Sequence, residues 1–293
     1  MVAVRRLGGR RPRATSAGAA LGAVVCAVAL NACSDSDAAS GPDGRGASPG
    51  QPGPAGAAPS RTAVRDAADT LTRAGTSRTR TAVRTVSGGT RVTVDGKGAF
   101  DFRKRTGRLT LRLPVGTSGA RPGERRVVRE LVTPGALYLK NRGGGVPPDK
   151  WVRVRTAELR DGNLVTGGAT DPVSASELLR GARQVRFQSA RRLSGERVWG
   201  YSGVVDLERA AATAYPAWRA QLASAAKGFS ERSVPFDAYL DGQGRLRKVQ
   251  YRFRVAGMAG GVTSTTVLFG FGEPVNVTMP PEGEIHLGRI AQP

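Results

Sequence analysis

The sequence predicts an α+β fold in which helices cover one face of an antiparallel β-sheet. Much of the chain after residue 90 alternates between apolar and polar residues, with turn residues between the alternating runs. This pattern is typical of antiparallel strands with one buried side. Residues 62–74 and 207–229 instead repeat their apolar residues every three or four positions, as helices with one apolar face do. Helices and a sheet of this kind can bury their apolar faces against each other.

The first 32 residues are expected to be an export signal. Five arginines and no acidic residue precede an apolar run over residues 17–32, which is shorter than the roughly 20 residues that a membrane-spanning helix needs. The run ends in Leu-Asn-Ala-Cys, which resembles the lipobox of bacterial lipoproteins. This resemblance implies cleavage between Ala32 and Cys33, a lipid on the Cys33 thiol, and anchoring to the extracytoplasmic face of the bacterial cell membrane. An ordinary secretory signal is the alternative.

Residues 33–60 are expected to be a disordered tether that starts at the lipidated cysteine. Between residues 34 and 60 no apolar side chain is larger than alanine, so the segment cannot bury a core. A flexible chain of this length reaches roughly 30 Å. The folded domain is therefore expected to occupy residues 61–293. It must be held together by its core, because Cys26 leaves with the signal and Cys33 carries lipid.

The chain is strongly basic. It has 45 basic and 23 acidic residues, and removal of the five signal arginines still leaves a net charge of +17. Nucleic acid would be the first partner to consider inside a cell, but an exported protein meets anionic lipid head groups and phosphate-bearing envelope polymers instead. We therefore expect no nucleic-acid partner. Arginine is also what a GC-rich genome places at exposed positions, so charge alone does not identify a ligand.

Turn and cap residues place the remaining elements. Asp95-Gly96 and Pro134-Gly135 predict hairpin turns. Asp171 followed by Pro172 predicts the start of a helix that ends near Gly181, and Pro216 is expected to kink or break the helical pattern of residues 207–229. The predicted strands are residues 90–94, 98–102, 108–113, 127–132, 136–140, 151–155, 185–191, 197–206, 234–241, 249–255 and 262–271. The extended segment 273–281 follows.

Three motifs in the last third of the chain carry a family resemblance. They are Val-Pro-Phe-Asp-Ala-Tyr-Leu-Asp at 234–241, Gly-Arg-Leu-Arg at 244–247, and Phe-Gly-Glu-Pro-Val-Asn-Val at 271–277. Together with the order of the predicted elements, they resemble the actinobacterial LppX/LprG-type lipoproteins. The resemblance covers residues 61–287.

The resemblance implies the fold of that family and of the related LolA carriers. In those proteins a strongly bent antiparallel sheet, or half-barrel, has helices packed on its concave face and lipid acyl chains between the two layers. It implies a lipid or glycolipid ligand without identifying which one.

Residues suited to catalysis are scarce. The only histidine, His286, lies close to the end of the chain, where we expect a solvated residue. The Gly200–Gly203 stretch, Gly-Tyr-Ser-Gly, is one residue short of the hydrolase pattern Gly-x-Ser-x-Gly and lies in a predicted strand. The sequence shows no metal-ligand spacing. We expect no enzyme activity and no cofactor.

The candidate binding residues are apolar. Acyl chains would be held by loss of apolar surface from water, at about 25 cal/mol per Å². A stripe that faces lipid and a stripe that is plain core have the same pattern, because every helix on a sheet needs an apolar face. The candidates are Ala211, Tyr215, Trp218 and Leu222 on the long helix, facing Val249, Tyr251 and Phe253 on the sheet.

Two functions remain open at this point. The first is a membrane-anchored lipoprotein that binds or shuttles lipid between sheet and helices. The second is a non-catalytic adhesion or scaffold lipoprotein, whose basic strand faces bind anionic cell-envelope polymers while sheet and helices simply pack. Lipid retained by the purified protein would distinguish the two.

Overall fold

The computed structural model describes residues 58–115, 123, 126–141, 146–255 and 260–286. The export signal, Cys33 and almost the whole tether lie outside these residues. The described residues belong to one compact unit. No helix within them has both the length and the apolar character needed to cross a membrane.

Twelve strands form one open sheet. In chain order they are β1 (Thr76–Ser87), β2 (Thr90–Asp101), β3 (Thr106–Arg112), β4 (Val127–Thr133), β5 (Ala136–Lys140), β6 (Trp151–Arg155), β7 (Ala182–Leu193), β8 (Glu196–Asp206), β9 (Ser233–Leu240), β10 (Leu246–Phe253), β11 (Gly260–Phe269) and β12 (Ile285–His286). Their order across the sheet is β12-β6-β5-β4-β3-β2-β1-β11-β10-β9-β8-β7. Two antiparallel meanders, β1–β6 and β7–β11, thus meet where β1 pairs with β11.

Four α-helices pack on one side of this sheet. They are α1 (Ala67–Ala74), α2 (Pro172–Leu178), α3 (Leu207–Thr213) and α4 (Pro216–Gly228), with short 3-10 turns at Arg61–Val64, Thr156–Glu158, Leu179–Gly181 and Glu282–Glu284. Helix α1 contacts β10, α2 contacts β11, and α3 contacts β8. The predicted fold class, a bent antiparallel sheet with helices on its concave face, is confirmed.

Glycines on the inner side let the sheet bend. A Cβ on Gly98 would clash with the carbonyl oxygen of Arg108, and one on Gly96 would lie 2.6 Å from the side chains of both Leu111 and Thr81. Adjacent strands therefore approach more closely here than any larger residue would allow. Gly96 thus serves the close approach of neighbouring strands and not a turn. Strand β2 continues through Asp95 and Gly96, so the hairpin turn predicted at these two residues is wrong.

Two other features differ from the prediction. Strand β1 was not predicted, because three of the four residues on its buried side are Ser77, Thr79 and Thr81, and only Val83 is apolar. His286, expected to be a solvated residue, forms part of β12, which pairs in parallel with β6. The break predicted at Pro216 is confirmed: residues 207–229 form two helices, since Pro216 has no N–H to donate and begins α4 as its first residue.

Candidate functional site

Most of the predicted binding residues are core residues. Trp218 and Leu222 of α4 are fully buried, and Ala211 of α3 is 8% exposed. Val249, Tyr251 and Phe253 of β10 are at most 1% exposed, on the inner side of the sheet. These six side chains belong to one hydrophobic cluster, as a packed core requires.

Tyr215 is placed differently from the other candidates. It is the N-cap residue of α4 and has an extended ψ of 138°, so its side chain leaves the helix face. The ring is 40% exposed and lies under the guanidinium of Arg105, 3.4 Å from the ring centroid. The prediction that Tyr215 faces the sheet is therefore wrong. Helical spacing applies only to residues inside the helix, and Tyr215 precedes it.

Helix α4 meets β10 directly only at its C-terminal end, where Phe229 stacks on Phe253, and Trp218 in its first turns is separated from Tyr251 by other residues. A segment of the chain, residues 159–181, runs between them, and we call it the covering segment. It contains α2, every residue of which is buried. On one side the indole N–H of Trp218 donates to the Ser174 hydroxyl at 3.1 Å. On the other, the Tyr251 hydroxyl donates to the Ala175 carbonyl at 2.6 Å. The chain itself thus fills the space between helix and sheet.

Two buried aspartates hold the covering segment in its fold. Asp161 accepts hydrogen bonds from the backbone N–H groups of Asn163, Val165 and Thr166. Asp171 caps α2 by accepting from the N–H groups of Val173 and Ser174. Burial raises the pKa of the Asp171 carboxyl, because desolvation outweighs the hydrogen bonds that favour its charged form.

The end of α2 is tied down by a charged network. The buried Glu177 carboxylate accepts the backbone N–H of Tyr215 at 2.9 Å and the Arg180 guanidinium at 2.8 Å. Arg180 also forms a two-pronged hydrogen bond with Asp69 of α1, at 2.6 and 2.8 Å. The hydrogen bond from Arg180 lowers the pKa of Asp69, despite partial burial. Arg180 and Glu177 together thus connect α1, α2 and the start of α4.

The inner face of the sheet presents two kinds of surface to the covering segment. On β11 and β1 the covering segment meets hydroxyl groups, and Thr170 Oγ1 lies 2.6 Å from both Ser264 Oγ and the Leu164 carbonyl. The hydroxyls of Ser77 and Thr81 are buried and find no partner among the described residues. On β9 and β10 the inner surface is aromatic, and Phe229 stacks on Phe253 with 4.8 Å between ring centroids.

Within the covering segment the sequence predicted only the helix that begins at Asp171–Pro172. It did not predict that the rest of the segment is buried. Glycine, alanine, serine and threonine dominate it, so it has no clear apolar period. The available signal was the aspartates at 161 and 171, since buried loops need side chains that satisfy their backbone N–H groups.

The other predicted site residues lie away from this core or outside the residues that the structure describes. Ala32 and Cys33 fall outside the described residues. Within the described residues no group of three or more His, Cys, Asp or Glu side chains could hold a metal ion. Ser202, the serine of the near-hydrolase pattern, lies in β8, where its hydroxyl accepts from Gln188 Nε2 at 2.5 Å.

Comparison with known proteins gives similar structures. No protein-family model matches the chain, and no curated protein is similar to it in sequence. The structure is similar to LprF from Mycobacterium bovis, with 15% identity and a TM-score of 0.43, over 76% of this chain and 99% of that one. For the lipoprotein LppX from Mycobacterium tuberculosis the values are 15%, 0.42, 74% and 97%. For a LolA superfamily protein from Nitrosomonas europaea they are 9%, 0.31, 76% and 95%.

Proposed function

We propose that this chain is a lipoprotein, anchored through Cys33 to the extracytoplasmic face of the cell membrane, that binds a lipid or glycolipid between its helices and its sheet. It carries out no reaction. The observation that supports the proposal best is the large aromatic inner surface of β9 and β10, covered by a segment of mostly small residues. The leader sequence and the family motifs at 234–247 and 271–277 support it independently.

Lipid binding requires the covering segment to move. In the structure as it stands, Ser174 and Ala175 occupy the space between Trp218 and Tyr251. Acyl chains would replace this segment against Phe236, Tyr251 and Phe253, and the buried apolar area would favour the exchange at about 25 cal/mol per Å². During this movement the segment could keep its local turns, which Asp161 organises near its start and Asp171 organises at the beginning of α2.

A reversible lock tests the proposal. Thr170 and Ser264 have hydroxyl oxygens 2.6 Å apart, one on the covering segment and one on the sheet. Replacing both with cysteine places two thiols in reach of a disulfide, and the chain from Ser34 onward has no other cysteine. We expect the reduced variant to take up a fluorescent phospholipid and the oxidised variant to take up at least ten times less. The reduced form of the same protein is the matched control.

The native ligand is sought in the same protein. Native mass spectrometry of the soluble chain from Ser34 to Pro293, without the substituted cysteines and exported by its native host without the lipid anchor, should show a bound lipid in part of the population. If no lipid is found and uptake is the same in oxidised and reduced forms, the interior is plain core. The scaffold function then replaces lipid binding.

The anchor has its own experiment. Cys33→Ala should prevent lipidation, so that the uncleaved precursor accumulates or the protein is released from the membrane fraction. A Cys26→Ala variant is the control, because the thiol at position 26 lies inside the signal. Identical fractionation and migration of the Cys33→Ala variant and the parent would show that the lipobox assignment is wrong.

A further inference from the structure

The outer side of the sheet has a depression that the proposed lipid site does not use. It consists of two adjoining hollows of about 310 and 380 Å³ on strands β11, β1, β2 and β3. The row Arg80, Lys97 and Thr110 lines both hollows, which adjoin on its two sides. Four neighbouring strands span about 15 Å. We call this feature the basic groove.

The pleat of the sheet makes the groove. Arg80 and Lys97 are directly opposite each other on β1 and β2, and Lys97 is opposite Thr110 on β3. All three point away from the helices. The neighbouring row contains the short side chains Ala82 and Thr265, so the surface beside Arg80 and Lys97 is lower than these two long side chains.

The groove carries unbalanced positive charge. Arg80, Lys97, Arg108 and Arg112 line it, and none of these four forms an ion pair with a described residue. Asp95 is the only carboxylate among its lining residues. Some basic residues elsewhere on the sheet do have acidic partners, as in the pair of Arg252 and Asp237 at 2.5 Å.

This arrangement disfavours the free protein and favours an anionic ligand. Like charges directly opposite on adjacent strands, such as Arg80 and Lys97, destabilise a sheet. An anion between them removes that repulsion. Arginine presents a planar fork that matches the oxygens of a phosphate, and lysine adds a mobile point charge.

We propose that the basic groove binds a linear polyanion with phosphodiester groups, as an exported protein would meet in an anionic envelope polymer. A linear polymer fits because the two adjoining hollows present four cations, from β1, β2 and β3, within a short distance of one another. A flat bilayer fits less well, since its head groups would have to enter the two hollows. The site lies on the opposite face of the sheet from the lipid site, so the two bind independently.

Binding of poly(glycerol phosphate) to the chain from Ser34 to Pro293 tests this proposal, by fluorescence anisotropy at about 0.15 M salt. The groove variant combines Arg80→Gln, Lys97→Gln and Arg112→Gln. We expect it to bind at least ten times more weakly than the parent. Its plot of log affinity against log salt concentration should be shallower by about two units, since roughly 0.7 counterions are released per phosphate contact.

A charge-matched control separates a groove from diffuse attraction. Arg91→Gln, Arg153→Gln and Arg186→Gln remove the same three charges from exposed positions on β2, β6 and β7. We expect this variant to change affinity less than about two-fold. Asp95→Asn removes the groove's carboxylate and should tighten binding several-fold.

Three results would overturn the proposal. The first is an equal loss of affinity in the groove and control variants, which would mean that net charge alone attracts the polymer. The second is binding of the parent to phosphatidylglycerol vesicles but not to the polymer, which would identify a membrane surface as the partner. The third is equal affinity for polyglutamate of the same total charge, which would exclude phosphate recognition. The groove variant should take up labelled phospholipid as the parent does, so failure here is distinct from failure of the lipid proposal.

Discussion

The inner face of strands β8–β10 carries large aromatic side chains, whereas the central part of that face on β1, β2 and β11 carries glycine and small hydroxyl residues. The aromatic half holds Tyr201, Phe236, Tyr251 and Phe253. The small-residue half holds Ser77, Thr79, Thr81, Gly96, Gly98, Ser264 and Thr266. One sheet thus presents two kinds of surface to the covering segment.

The difference shows what each half contributes. The aromatic half supplies apolar area, which stabilises the fold and could equally hold acyl chains. In the small-residue half adjacent strands can approach each other closely, which lets the sheet bend around the helices and the covering segment. Its hydroxyl groups also position the covering segment through Thr170. Substitutions in the two halves should therefore change the free energy of unfolding by different amounts and even in opposite directions.

The largest effect is expected on the aromatic side. Trp218→Ala removes a fully buried ring and the donor to Ser174, and should lower the free energy of unfolding by about 3–5 kcal/mol. Urea denaturation measures this. Tyr215→Ala is the control, because that ring is partly exposed, and it should cost less than about 1 kcal/mol. A loss below about 2 kcal/mol for Trp218→Ala would mean that α4 borders open space and is not packed.

The next largest effect is expected at Gly98, where close strand approach lets the sheet bend. Gly98→Ala adds a methyl group that would clash with the Arg108 carbonyl, and should destabilise the protein by about 1–3 kcal/mol. Gly283→Ala is matched in chemistry and meets nothing within 4 Å, so its effect should stay within about 0.5 kcal/mol. Equal midpoints of thermal unfolding for the two variants would contradict a role for close strand approach.

Replacement of two buried threonines, one on the covering segment and one on β1, should change the free energy of unfolding in opposite directions. Thr170→Val leaves the Leu164 carbonyl and the Ser264 hydroxyl without their partner, and should cost about 1–3 kcal/mol. Thr81→Val removes a hydroxyl that has no partner among the described residues, and should be neutral or stabilising by up to about 1 kcal/mol. Chemical denaturation of both variants checks the pair. A large loss for Thr81→Val would indicate an ordered water on that hydroxyl.

The smallest effect is a dependence on pH. The folded-state pKa of Asp171 is raised above 3.8 by burial. Its contribution to stability is therefore fully present below about pH 3.8 and is lost as the pH rises through the raised folded-state pKa. Asp171→Asn keeps the capping oxygen and cannot titrate. The melting temperature of the parent relative to this variant should thus rise from about pH 7 to about pH 4. A constant difference would mean that the carboxyl is solvated.

The sequence alone determined the elements whose signals are local. Strands β5 and β6 were predicted with the bounds that the structure shows. Pro216 broke the helix as its missing N–H requires, and the turn after Asp241 closed the β9–β10 hairpin, with the aspartate accepting from Gln243 and Arg245 N–H groups. Alternation and turn chemistry act over a few residues, so they can be read without the fold.

Only the tertiary structure decided what fills the sheet. Strand β1 and the covering segment have buried residues that are small and polar, and their burial becomes favourable only when partners distant in sequence satisfy them, as Ser264 does for Thr170. The same holds for Gly96, whose role appears only beside Leu111 and Thr81. The sequence could propose an apolar stripe on α4. It could not say that residues 159–181 lie between that stripe and β10, because their place depends on contacts across the whole domain.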